Sequence, residues 1–77
     1  MRIEVFAILK DHFKQEFEIE SSAKNIEELK TQLLQMQPNA SGVLNISRFA
    51  VNDEFIDNNY QFSENDTISI LPPASGG

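Results

Sequence analysis

Only one stretch of this 77-residue chain has helical periodicity, and strand-like alternation brackets it on both sides. Ile26, Leu29, Leu33 and Met36 recur at three- and four-residue intervals, which places them on one stripe of a helix. Asn25 stands at the N-cap position with Glu28 three residues on, so each side chain can satisfy an orphan amide of the first turn. Glu27 and Glu28 also sit at the positive end of the helix dipole. Pro38 ends the helix. A lone amphipathic helix has nothing of its own kind to pack on, so its apolar stripe must be covered by a sheet.

The flanking segments supply the sheet. Ile3, Val5, Ala7 and Leu9 alternate with Arg2, Glu4, Phe6 and Ile8, the period of a strand. After a polar break at Asp11 to Lys14, Glu16-Phe17-Glu18-Ile19-Glu20 alternates strictly, giving a strand with one wet face. The two predict an N-terminal hairpin. Beyond the helix, Asn39 to Asn45 reads as a loop carrying Gly42, and Ile46 to Val51 resumes strand character. Asn52-Asp53 is a turn leading into Glu54-Phe55-Ile56. Ser63-Glu64-Asn65-Asp66 is a second turn, and Thr67 to Leu71 a last strand that Pro72-Pro73 stops. The expectation is a single α+β domain over 1–77, with an extended tail at 72–77.

Several function classes fall away. A net charge of -6 opposes binding to nucleic acid, whose phosphates would repel the surface, and suits docking on a basic partner. The chain has no cysteine, which removes disulfides, thiolate nucleophiles and cysteine metal sites. Met1 leads directly into strand residues without an apolar signal segment. The longest apolar run, Val5 to Leu9, is far short of the roughly 20 residues that span a bilayer. A cytoplasmic protein without membrane contact is expected. His12 reads as a solvated residue of a connection, no cluster has metal-ligand spacing, and no glycine-rich phosphate loop is present. The chain is expected to carry no catalytic apparatus of its own.

Strand parity marks a candidate docking face. If Ile3, Val5, Ala7 and Leu9 face the helix, Phe6 and Ile8 face away from it. Ile68 and Ile70 point inward, leaving Leu71 outward, and Phe49 and Val51 inward leave Arg48 and Ala50 outside. Phe6, Ile8, Ala50 and Leu71, with Phe55 joining them, would form an apolar patch on the open sheet face, and a contiguous exposed patch marks an interface.

The chain closes on Pro72-Pro73-Ala74-Ser75-Gly76-Gly77, holding two of its three glycines. The prolines favour an extended path, and glycines at the tip leave bare backbone that fits a channel too narrow for side chains. The terminal α-carboxyl, with an ordinary pKa of about 3.3–3.7, is ionised at neutral pH. It is a poor electrophile until activated, most directly as an acyl-adenylate made from ATP by another protein.

The element order matches the ubiquitin-like β-grasp, and the chain resembles the MoaD family of sulfur carriers, small subunits of molybdopterin synthase. The residues that carry the match are Phe6-Ala7, Ala50-Val51-Asn52, Asp66 and, above all, the Pro-Pro-x-x-Gly-Gly tail. The resemblance implies that Gly77 is adenylylated by a MoeB-like, E1-type enzyme and converted to a thiocarboxylate, with Gly76 beside it. It implies insertion of the tail (Pro72, Pro73, Ala74, Ser75 and the two glycines) into a MoaE-like large subunit, where sulfur passes to a pterin precursor. A heterotetramer, ATP used by the activating enzyme, a transient acyl-AMP and no permanently bound cofactor follow from the same resemblance. Where the family often has Asp-Gly-Asp in the last turn, this chain has Glu64-Asn65-Asp66, and Asn65 is expected to tolerate any left-handed backbone there. A thiamine-type sulfur carrier or a ubiquitin-like modifier would use the same tail chemistry. A plain β-grasp interaction module would leave the tail idle.

Overall fold

The computed structural model describes residues 1–73. Five strands form one sheet: β1 (Arg2–Val5), β2 (Glu16–Glu18), β3 (Arg48–Val51), β4 (Glu54–Ile56) and β5 (Thr67–Leu71). Their order across the sheet is β2-β1-β5-β3-β4. β1 and β5 run parallel at the centre, with Ile3 opposite Ile68 and Val5 opposite Ile70. The other neighbours are antiparallel. This is the β-grasp arrangement, with the last strand inside the sheet beside the first.

Helix α1 (Ile26–Met36) lies over one face. Its buried side chains Ile26, Leu29 and Leu33 join Ile3, Val5, Phe49, Val51, Ile68 and Ile70 in the core. Burying a Leu or Ile side chain stabilises by about 1.5–3 kcal/mol, so this stripe fixes which face of the sheet is covered. Met36, expected on the same stripe, ends the helix and is 46% exposed. At the other end the Glu28 N–H donates to Asn25 Oδ1 at 3.0 Å. Glu28 reaches back, but its Oε1 accepts from the Lys24 N–H at 3.0 Å rather than from the cap residue's own amide.

Two sequence expectations fail locally. The first strand stops at Val5, and Ala7–Asp11 forms a 3-10 helix. Ala7 takes φ 54°, a left-handed conformation unusual for a residue with a Cβ, and the chain turns there. Leu9 still reaches the core, but Ala7 is exposed and not inward. Second, the expected loop at Asn39 to Asn45 is helical: a 3-10 stretch Pro38–Ala40 leads into α2 (Ser41–Ile46), which buries Ala40 and Leu44. Ile46, expected to open a strand, ends α2 at 62% exposure. The turn at Ser63 to Asp66 forms, with the Asp66 N–H donating to the Ser63 carbonyl at 3.1 Å. Positive φ among the described non-glycine residues occurs only at Ala7, Asn52 and Asp53, so the tolerance expected of Asn65 is not called upon.

Candidate functional site

Every described helix buries side chains in the one core on the α1 side of the sheet, and strand register decides what lies on the opposite face. Ala50 is the common neighbour, opposite Ser69 on β5 and Phe55 on β4. Arg48 lies opposite Leu71, and Glu4 opposite both Ser69 and Glu16. The β3–β4 hairpin is closed by Asn52 and Asp53 at φ 52° and 68°. Two left-handed residues are what a two-residue type I′ turn requires, and Asn and Asp tolerate that region. The tight turn sets Phe55 beside Ala50.

Phe6, Ala50, Asp53, Phe55, Ser69 and Leu71 line a groove of about 180 Å³ on this face. Four of the expected patch residues, Phe6, Ala50, Phe55 and Leu71, therefore come together. Phe6 is 39% and Phe55 54% exposed, whereas Ala50 is buried and forms the floor. Ile8 does not join them: it sits on the 3-10 helix, 57% exposed, because the turn at Ala7 breaks the strand parity that would have aligned it with Phe6. Arg48 is exposed, and its guanidinium carbon lies 3.6 Å from the centre of the Phe55 ring. Its placement on the outward face was legible from parity, but its stacking on Phe55 was not, since sequence spacing gives no side-chain pairing between strands.

The other half of the face is acidic. Glu16 and Glu18 point outward from β2, and Arg2 forms ion pairs with both. Glu20, expected on the same wet strand face, lies past the end of β2. His12 is half-buried at the end of the 3-10 helix, where its backbone N–H donates to the Leu9 carbonyl. A larger hollow of about 580 Å³ runs along β4 and the segment after it. No residue of β5 lines it, and β5 is the strand from which the tail departs, so the smaller groove is the candidate site. Among the described residues no group of His, Cys, Asp and Glu could hold a metal ion, and no helix is long and apolar enough to cross a membrane.

The site's rear wall is the end of β5. Leu71 and Pro72 are half-buried and Pro73 is exposed. Ala74, Ser75, Gly76 and Gly77 lie outside the described residues. Ahead of β5, Asp66 is the buried acid: its Oδ2 accepts from the Ser63 N–H at 2.8 Å and from the Tyr60 hydroxyl at 3.1 Å. These bonds close the turn that feeds β5, which gives Asp66 a structural reason to stand where it does.

A model of the ThiS family matches residues 3–77. The molybdopterin synthase sulfur carrier subunit of Dictyostelium discoideum is 43% identical over 47 residues, 58% of this chain and 55% of that protein. The match thus spans about half the length of that relative. A chain of the Helicobacter pylori complex between subunits 1 and 2 of molybdopterin-converting factor is 31% identical. The match covers 99% of this chain and 96% of that one, with a TM-score of 0.71. SAMP1 from Haloferax volcanii is 17% identical, with a TM-score of 0.79 over 99% of this chain and 97% of that one, a likeness of fold alone.

Proposed function

The chain belongs to the ThiS family, and from that premise we propose that it is the sulfur-carrying small subunit of a molybdopterin synthase. One observation carries the reading: the central strand β5 ends at Leu71 in the wall of an apolar groove, and Pro72-Pro73 continue from it. A partner seated on that groove lies against the root of the Pro-Pro-x-x-Gly-Gly segment. The four residues after Pro73 then span at most about 13–14 Å, which sets how deep a channel the tip can reach.

In this reading the chemistry belongs to Gly77. An activating enzyme of the E1 type joins its carboxylate to the α-phosphate of ATP, releasing pyrophosphate. A sulfur nucleophile from a donor attacks the acyl carbon, AMP leaves, and a thiocarboxylate remains. Docked on the large subunit, the thiocarboxylate sulfur bonds to a pterin precursor, and water then cleaves the acyl–sulfur bond, leaving the sulfur on the pterin and returning Gly77 to its carboxylate. Two such transfers build a dithiolene, and a heterotetramer of two small and two large subunits is the assembly. Similarity to a chain of the complex between subunits 1 and 2 of molybdopterin-converting factor supports the large subunit as partner. The doubled proline and the sulfur-carrier relative favour the molybdopterin branch over a thiamine-type carrier.

The test adds one alanine after Gly77. Beyond the last strand, it is expected to change stability by less than about 0.5 kcal/mol. It moves the acyl carbon by roughly 3.3–3.6 Å, and misplacement by about 1 Å can cost on the order of 100-fold in rate. Thiocarboxylate formation and pterin product should therefore be lost while the melting temperature holds. Gly76→Val should fail for the steric reason alone. Normal product yield from the extended chain would show that the Gly77 carboxyl is not the working group.

A further inference from the structure

Arg48 stands apart on the open face. It opens β3 opposite Leu71, so it borders the strand end from which the tail leaves. The acidic half of the face holds its own cation in ion pairs, Arg2 with Glu16 and Glu18. Among the described residues Arg48 has no such carboxylate partner. Instead its guanidinium lies 3.6 Å over the Phe55 ring. A guanidinium held by its flat face keeps its N–H edge free for a planar acceptor. Phe55 lines the groove, so any partner that covers the groove also strips water from Arg48. A desolvated cation without an acceptor is costly, and the partner must supply one. The acceptor that matches the guanidinium fork in shape and charge is a carboxylate.

We propose that the Arg48–Phe55 stack is a carboxylate-receiving latch at the rim of the groove, taking an Asp or Glu of the large synthase subunit beside the entry point of the tail. The assignment rests on the carrier reading above and deepens it. The apolar groove gives the complex its buried area, and the latch sets which partner is accepted: one that brings a lysine or arginine to this spot meets like charge and is rejected. On a chain of net charge -6, a cation at the apolar patch divides the face into an acidic half and a half that selects acid.

The experiment measures the dissociation constant for the large subunit of the same organism by calorimetry, at about 0.1 M and about 1 M salt. The variants are Arg48→Lys, Arg48→Gln and Arg48→Glu. Arg48→Gln should bind about 10-fold more weakly or worse and lose part of the salt dependence. Arg48→Glu should lose about 100-fold or more. Arg48→Lys, which keeps charge but not the planar fork, should fall between the parent and Arg48→Gln. Melting temperatures serve as the folding control, since Arg48 is exposed. If Arg48→Gln and Arg48→Glu bind like the parent with the same salt slope, Arg48 merely shields Phe55 and the latch is overturned alone. If the parent itself does not bind the large subunit, the carrier reading falls and the latch with it.

Discussion

Asp66, Tyr60 and Ala7 show how single residues hold the site in place. Asp66 is buried, and both of its side-chain hydrogen bonds hold the segment before β5. Its partner Tyr60 has a phenol pKa raised from the ordinary 10.0, first by burial and then by the hydrogen bond to Asp66 and that acid's charge. The raised value means the fold favours the protonated phenol. That contribution is fully present below the unfolded pKa of about 10 and is lost as pH rises through the folded value. Thermal melts of the parent and Tyr60→Phe should therefore differ at neutral pH, the variant being less stable, and the difference should begin to shrink only as pH rises past about 10. A difference that stays constant across that range would remove the Tyr60–Asp66 bond from the account. Asp66 was legible in the sequence as a motif residue, but Tyr60 was not, because nothing in the spacing of residues 60 and 66 marks a side-chain pair. Ala7 was misread for a related reason. Apolar alternation through Leu9 signals a strand, and an alanine gives no warning of a left-handed turn.

At the scale of elements, strong periodicity was legible and short helices were not. β1, β2, β5, the β3–β4 hairpin and α1 all carry a clear period or a turn dipeptide, and each forms within its pattern, although β1 stops at Val5, β2 at Glu18 and β3 opens only at Arg48. α2 has no such signature: six residues, an N-cap without a side-chain bond, and a glycine at its second position. Its helicity comes from tertiary burial of Leu44, with Ala40 buried just ahead of it, which overrides weak local propensity. Gly42 has no positive φ, and a Cβ built there meets nothing within 4 Å. Glycine is thus not required at this position. Gly42→Ala is expected to stabilise the protein by about 0.5–1 kcal/mol, read from denaturant midpoints at unchanged slope. A loss of stability would mean that the backbone of α2 depends on glycine after all.

On the scale of the whole molecule, the fold sets β5 at the centre of the sheet, and the proposed chemistry lies in the sequence beyond its end. Parallel pairing of β1 with β5 buries Ile68 and Ile70 completely and delivers Leu71 to the groove wall. The outward patch was readable from parity because the sheet obeys a period of two, except where Ala7 interrupts it and Ile8 is lost. The acid–base division of the open face was only half readable. The Glu residues of β2 announce themselves, whereas the Arg48–Phe55 stack depends on a register between β3 and β4 that side chains alone do not state. The central claim concerns Gly77, and intact-mass analysis of the protein purified from its native cells tests it most directly. The account predicts a fraction of chains that end at Gly77 with sulfur in place of one carboxyl oxygen, rising when the large subunit is removed and vanishing when the activating enzyme is removed. Chains that end at Gly77 with oxygen only, under both conditions, would contradict it.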